Sequence, residues 1–293
     1  PLVDLPRLLG KESGGKDAYF GQAVVYKDSS VSRIRVQHTS LPSTACDKER
    51  ITPIVAKSFN GESGTLIWEG DALFPRKNAT RYFELLIKPR GIVDVIQFKE
   101  KTCSSGLFYG QDKLKVDGVG RSFRLLTNAF GNLIVDVGWG AYATKIKTAK
   151  NVWNLVFLSW DERLGSYEVG IVTVGSIRTE TVKVDLPPQN NDASLIQVGY
   201  AGHYESACHF KGLLAQFSVL PARPSNQGLR HRFDGALASK QVQGDGDLIK
   251  WVFEYNNETL VADTSGNGRD GRFATGAGVV AAVDATFGTV PFA

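Results

Sequence analysis

The stretch Val152-Trp-Asn-Leu-Val-Phe-Leu-Ser-Trp160 (VWNLVFLSW) is apolar at its even and its odd positions alike. Side chains of a strand point to opposite faces in turn. A strand with Val152, Val156, Leu158 and Trp160 on one face and Trp153, Leu155 and Phe157 on the other therefore has no side for solvent. This predicts a central strand of a sandwich, or one that curves between two cores. Outward from it the period of two recurs: Leu133, Val135, Val137 and Trp139 alternate with Ile134, Asp136 and Gly138, and Tyr167, Val169, Ile171 and Thr173 form a second set. Turn signals fall between the runs, at residues 161–165 (DERLG), 187–191 (PPQNN) and 199–202 (GYAG). No convincing helix longer than a few turns is read. Short strands at such intervals predict an all-β antiparallel β-sandwich of jelly-roll type.

With 293 residues, 42% of them hydrophobic, the chain can bury a core large enough for one big sandwich or two modest domains. Charged residues make up 22% with a net charge of +4, and both signs are interspersed, which argues against nucleic acid as a partner. No apolar run is long enough for a membrane span, and residues 1–15 (PLVDLPRLLGKESGG) lack the apolar core of a signal peptide. There is no Met, so the chain is expected to be a processed product or a fragment. Cys46, Cys103 and Cys208 are too few for a disulfide scaffold and lack paired zinc spacing, leaving one bridge with one free thiol as an option. The sequons at Asn78 and Asn257 would be glycosylation sites in a secretory pathway, and with them an extracellular or surface-associated location is expected.

The order of motifs resembles a known family. Residues 80–90 (TRYFELLIKPR), 151–161 (NVWNLVFLSWD), 194–199 (SLIQVG) and 210–220 (FKGLLAQFSVL) are similar to successive strands of the concanavalin A-like lectin/glucanase fold, and most similar to its laminin G-like branch. In that branch a W-x-K-P strand is followed by W-x-x-V, L-x-x-G and F-x-G-x-I-x-x-F strands; here Leu86 stands where Trp is usual before Ile87-Lys88-Pro89. The resemblance covers roughly residues 55 to 220.

The family's opening motif, W-x-F followed by D-x-S-G-N-G-x-x-G, occurs here after the closing strand, as Trp251-Val-Phe253 and residues 263–271 (DTSGNGRDG). The resemblance implies that a first strand comes last. Residues 17–21 (DAYFG) also match 284–288 (DATFG), so the N-terminus begins about where the C-terminus stops. Three arrangements fit: a cis permutation, a cut through a tandem array, or exchange of the segment with a neighbouring molecule. The expected organisation is a laminin G-like sandwich with an N-terminal extension over 1–233, a linker over 234–246, and a segment over 247–293 that completes a sandwich in cis or in a neighbour and offers a route to self-association.

Within the late loop, Asp263, Ser265, Asn267 and Gly268 fit the first positions of a calcium loop, but Ala274 stands where the bidentate Glu belongs, which rules out an EF-hand. Either Asp263, Ser265 and Asn267 hold calcium in another geometry, or Asp263 accepts backbone N–H bonds while Gly266, Gly268 and Gly271 take left-handed positions. Glucanases of this fold carry an E-x-D-x-x-E strand; none occurs here, nor does a serine-hydrolase, zinc-protease or P-loop motif.

Residues 200–209 (YAGHYESACH) crowd Tyr200, His203, Tyr204, Cys208 and His209 into one loop. With Arg81 a Tyr/His pair could abstract a proton beside a neutralised uronate, the chemistry of a polysaccharide lyase. The same Tyr200, His203 and Tyr204 could instead bind a sugar or partner by aromatic contact, as could Trp139 and Tyr142. They could also be ordinary surface residues, and Trp139 an inward core residue. Taken together, the sequence points to a non-catalytic extracellular recognition or structural module with a glycan or protein partner. A lyase and a strand-exchanging coat or filament subunit are the alternatives.

Overall fold

The computed structural model describes residues 2–4, 22–27, 32–37, 54–61, 64–71, 73, 80–90, 104–111, 122–128, 130–136, 141–161, 166–183, 194–200, 207–238, 246–253, 259–274 and 279–284. The chain divides into two units, residues 1–50 and 51–293. In the first, expected as an N-terminal extension, β1 (Leu2–Asp4), β2 (Gln22–Lys27) and β3 (Ser32–Gln37) form a three-stranded antiparallel sheet in that order.

The second unit is an antiparallel β-sandwich. Its strands are β4 (Ile54–Asn60), β5 (Leu66–Glu69), β6 (Thr80–Pro89), β7 (Ser104–Gln111), β8 (Ser122–Thr127), β9 (Asn132–Asp136), β10 (Ala141–Lys147), β11 (Asn154–Asp161), β12 (Ser166–Thr173), β13 (Ser176–Lys183), β14 (Leu195–Val198), β15 (Ala207–Cys208) and β16 (Lys211–Leu220). Helix α1 (Asn226–Leu237) follows, then β17 (Ile249–Val252), β18 (Leu260–Val261), β19 (Gly271–Phe273) and β20 (Val279–Asp284). One sheet runs β10-β9-β8-β7-β14-β5-β19-β18, with the short β15 parallel to β7. The other runs β13-β12-β11-β6-β16-β4-β20, with β17 beside β16.

The two sheets bury a shared core. Phe83, Leu85 and Ile87 of β6 meet Leu107 and Phe108 of β7 and Phe217 of β16 there. The Phe83 and Phe108 rings stack at 5.2 Å, a spacing that adds specific aromatic attraction to the area buried. The alternate residues Tyr82 and Leu86 face a second core under α1. Strand β11 is shared in the same way, Val156, Leu158 and Trp160 on one side and Leu155 and Phe157 on the other. The two-faced apolar run in the sequence therefore lies between two cores.

Helix α1 covers that second face. Ser225 caps its start, accepting from the Gly228 N–H at 3.1 Å and so satisfying one of the orphan donors of the first turn. Leu229, Phe233 and Leu237, each four residues on, pack into the core. Residues 234–237, assigned by sequence to a linker, form the last turn of this helix.

Beneath α1 lies a buried charge cluster. Arg232 donates from Nε to Glu84 Oε1 at 2.7 Å and from Nη1 and Nη2 to the two Asp247 oxygens at 3.2 Å each, while Tyr82 donates to Glu84 Oε2 at 2.9 Å. Burial alone would lower the Arg232 pKa, but Glu84 and Asp247 outweigh it and hold the guanidinium charged. Burial raises the Asp247 carboxyl, with Arg232 pulling the other way. Fixed donors and carboxylates at these distances tie the sheet, the helix and the start of the C-terminal segment together.

The C-terminal segment pairs with the chain's own sheets. Strand β16 gives Lys211–Leu214 to β4 and Gln216–Val219 to β17, so β17 continues the edge where β4 stops. On the other sheet β19 pairs with β5, and β18 with β19.

Candidate functional site

The late loop is built around one carboxylate. Asp263 Oδ1 accepts the Lys250 N–H at 2.9 Å and the Ser265 N–H at 3.0 Å, while Oδ2 accepts the Ser265 hydroxyl at 2.8 Å and the Arg269 N–H at 2.9 Å. Burial would raise the Asp263 pKa, but these donors together hold it below the ordinary carboxylate range. Gly266 and Gly268 take φ of 86° and 67°, left-handed positions that favour glycine. Gly271 departs from expectation. It is an extended strand residue of β19, where a Cβ would stand a tight 3.0 Å from both Leu66 Cδ1 and Trp251 Cε2, so close packing and not backbone handedness favours glycine there.

Asn267 turns its amide N–H groups to the Asp247 and Leu248 carbonyls at 2.9 and 3.2 Å, and Trp251 Nε1–H donates to the Arg269 carbonyl at 2.8 Å. Donors thus surround the oxygens of Asp263, whereas a calcium held by Asp263, Ser265 and Asn267 would need their lone pairs to converge. Asp263→Ala is expected to destabilise the protein by about 1–3 kcal/mol through its orphaned donors. Because the folded pKa lies below the unfolded one, the stabilisation is present above the ordinary carboxylate pKa and is lost as pH falls through the folded value. Chemical denaturation of both proteins from neutral to acid pH measures this. A chelator-induced fall in melting temperature that the substitution abolishes would establish a metal site instead.

The braced loop forms one wall of a cleft of about 530 Å³ lined by Ile67, Trp68, Glu69, Gly70, Asp71, Leu260, Asp270 and Arg272. Asp270 Oδ1 accepts the Asp263 N–H at 2.8 Å, which holds it in place. Arg272 stands 3.9 Å from Glu69, a loose pairing, and is itself largely exposed. Leu260 adds an exposed apolar edge. Beside the cleft, strand register aligns the row Arg272, Ile67, Gln197, Tyr109, Arg124 and Asp136 across the outer face of the sheet. There the Arg124 guanidinium lies 5.3 Å from the Tyr109 ring centre and 3.4 Å from Asp136. Burial raises the Tyr109 pKa, with Arg124 opposing, so its hydroxyl stays protonated and able to donate.

The residues singled out from sequence are scattered. Arg81 is buried on β6 with its guanidinium 4.2 Å from the Trp160 ring centre. Tyr200 stacks on His209 at 4.5 Å, and His209 Nδ1 is 3.3 Å from the Gly64 carbonyl. The Tyr200–His209 pair sits level with Gly212, which pairs with Pro89 at the far end of β6 from Arg81. Eight residues of strand, about 26 Å at ~3.3 Å each, separate the two, so they are not brought together. Tyr142 packs against the inter-sheet core. His203, Tyr204, Trp139, Asn78, Asn257, Cys46 and Cys103 lie outside the described residues, as does the side chain of Cys208.

No family model and no curated protein matches the sequence. In fold the chain is similar to a protein of Bacteroides ovatus provisionally described as carbohydrate binding, with 16% identity, a TM-score of 0.50, and coverage of 79% of this chain and 61% of that one. The chain thus spans less than two thirds of that protein's length. It is also similar to the heptameric SAP-like pentraxin of Limulus polyphemus, with 14% identity, a TM-score of 0.48 and coverage of 79% and 96%. A third is domains LG4-5 of the mouse laminin α1 chain, with 14% identity, a TM-score of 0.39 and coverage of 61% and 44%. At these identities the likenesses are of fold alone.

Proposed function

We propose that the second unit is a non-catalytic recognition module that binds a glycan in the cleft between β5 and the β18–β19 loop. The cleft itself carries this reading. It combines hydrogen-bonding groups of both kinds, Glu69, Asp71, Asp270 and Arg272, with the apolar side chains of the half-buried Ile67 and the exposed Leu260. A sugar presents the same combination, hydroxyls that each need a partner and C–H faces that favour apolar contact. Its volume falls within the range of about 300–1,000 Å³ usual for small-ligand sites. The likeness to a protein described as carbohydrate binding supports the reading at the level of fold. The lyase alternative needs a cation beside the substrate, and Arg81 is sequestered against Trp160.

We also read the chain as extracellular and of laminin G-like kinship, its first-strand motif moved to the end as β17 and the Asp263 loop. Among the described residues no helix is long and apolar enough to cross a membrane.

A glycan array with the full chain should yield binders whose affinity, measured by calorimetry, falls at least about tenfold in Asp71→Ala and Arg272→Ala, a hydrogen bond to a charged group contributing about 1.5–3 kcal/mol. Binding indifferent to both substitutions would place the site elsewhere and sink the assignment.

A further inference from the structure

A second surface lies at one end of the sandwich, where the β8–β9 turn, the β10–β11 connection, the β12–β13 turn and the start of β16 come together. Backbone bonds fix the grouping: the Thr148 N–H donates to the Gly131 carbonyl at 3.0 Å, the Asn151 N–H to the Pro89 carbonyl at 2.8 Å, and the Arg90 N–H to the Lys211 carbonyl at 3.3 Å. Leu155 pairs with Val172, which places the β12–β13 turn beside the entry to β11.

Three apolar side chains project from these turns: Phe130 is 75% exposed, Val174 59% and Val152 46%. Among the described residues only Leu260, at the glycan cleft, is a comparably exposed large hydrophobic. Each of the three adjoins a residue at left-handed φ, namely Gly131 at 81°, Gly175 at 80° and Asn151 at 60°. The tips are therefore tight, shaped turns. Around them stand the exposed cations Arg90, Lys147, Lys150, Arg178 and Lys211. Arg178 donates to the Lys147 carbonyl at 3.0 Å, which holds β13 against the end of β10 and the two cations side by side. On this flank Glu180 accepts the Lys145 N–H at 2.8 Å, farther down the same edge. The tips themselves bear no acidic residue among those described.

Exposed apolar side chains gathered at one end, unlike ones scattered singly, mark an interaction surface, and a surrounding belt of one sign selects an occupant of the opposite sign. We propose that this end docks onto an anionic lipid surface. Phe130, Val152 and Val174 enter the interfacial layer and the five cations meet the headgroups, the combination by which peripheral elements are held at membranes without spanning them. A soluble polyanion such as a sulfated polysaccharide would use the cations but gain nothing from three projecting apolar groups. Strand β5 leads away from this end, from Leu66 beside Phe273 to the cleft residues Glu69 and Asp71, so membrane docking leaves the glycan cleft unobstructed.

The test is co-sedimentation of the full chain with phosphatidylcholine vesicles, with and without a phosphatidylserine fraction, with heparin binding followed in parallel. Binding is expected only to the phosphatidylserine vesicles and should weaken as salt rises. Phe130→Ser with Val174→Ser should reduce it at least about tenfold, since each apolar tip that enters the interface contributes hydrophobic transfer energy. Lys147→Ser and Lys150→Ser should each reduce it about fivefold. All four positions are exposed, and unchanged melting curves would show that the variants fold. Failure of the full chain to bind phosphatidylserine vesicles, or equal binding to phosphatidylcholine alone, would overturn the proposal. So would vesicle binding lost in the lysine variants but intact in the tip variants, the pattern of a polyanion site that heparin would share. The glycan cleft uses none of these residues, so it stands or falls separately.

Discussion

Arg232→Met should lower the stability of the protein by about 3–5 kcal/mol, the usual cost of removing one partner from a buried ion pair. The physical reason is the company Arg232 keeps. Glu84 sits in the middle of β6 and Asp247 at the entry to the C-terminal segment, both buried; Asp247 gives both oxygens and Glu84 gives Oε1 to the same guanidinium. Met matches the volume but leaves two carboxylates facing each other beneath α1.

The neighbouring Lys250 does not substitute, since burial already lowers its pKa and it has no planar fork to meet both acids. Asp247 is already raised by burial, and without Arg232 it should rise further. A carboxyl with a folded pKa above its unfolded one contributes stability that is present below the unfolded value and lost as pH climbs through the folded value. The deficit of the variant against the parent should therefore shrink in acid, and the common contribution of Asp263 cancels in that difference. Urea denaturation of both proteins at neutral and acid pH reads it out. The triple substitution Glu84→Gln, Arg232→Met, Asp247→Asn should recover much of the loss by removing the charges. A single substitution costing less than about 1 kcal/mol, the level of an exposed pair, would show that water reaches the cluster.

The same cluster explains why α1 was not legible in the sequence. Leu229, Phe233 and Leu237 form a sparse row four residues apart, and the fourth inward residue is Arg232, which a pattern search assigns to solvent. Strands β6, β11, β14 and β16 were legible because their inward residues are contiguous in the alternating pattern and need no distant partner to be recognised. The cleft was not. Glu69 ends β5 and Asp71 follows it, while Asp270 and Arg272 lie some two hundred residues later; only the antiparallel register of β5 with β19 makes them neighbours. The Asp263 loop was readable as a hydrogen-bonded turn because its donors are mostly local, whereas the role of Gly271 depends on Leu66 and Trp251, which approach from other strands. Pairing at long range carries no local signature, and the candidate site is built from such pairing.

Removing residues 247–293 should have the largest effect of all. It strips β17 from the Gln216–Val219 edge of β16, takes β19 and β18 from β5, and deprives Arg232 of Asp247. It also takes Ile249, Trp251, Phe253 and Val261 out of the inter-sheet core. Each lost aromatic corresponds to about 3–5 kcal/mol in a large-to-small substitution, and a whole domain is stable by only about 5–15 kcal/mol. Residues 1–246 should therefore expose an unpaired edge and an apolar trough, and aggregate. Trp251→Ala is the graded version, expected to destabilise by about 3–5 kcal/mol without abolishing the fold.

Whether β17 to β19 complete the molecule they belong to is decided by dilution. A strand held in cis, as the observed pairing has it, keeps a monomer whose melting temperature is independent of concentration. A swapped strand gives dimers or head-to-tail polymers whose stability falls on dilution, because the completing segment must then be supplied by a second copy. Light scattering across a dilution series, with calorimetry at the extremes, separates the two. If residues 1–246 instead stayed monomeric and melted as the full chain does, the segment would be an appendage, and Trp251 would have to find another explanation for its complete burial between Phe217 and Gly271.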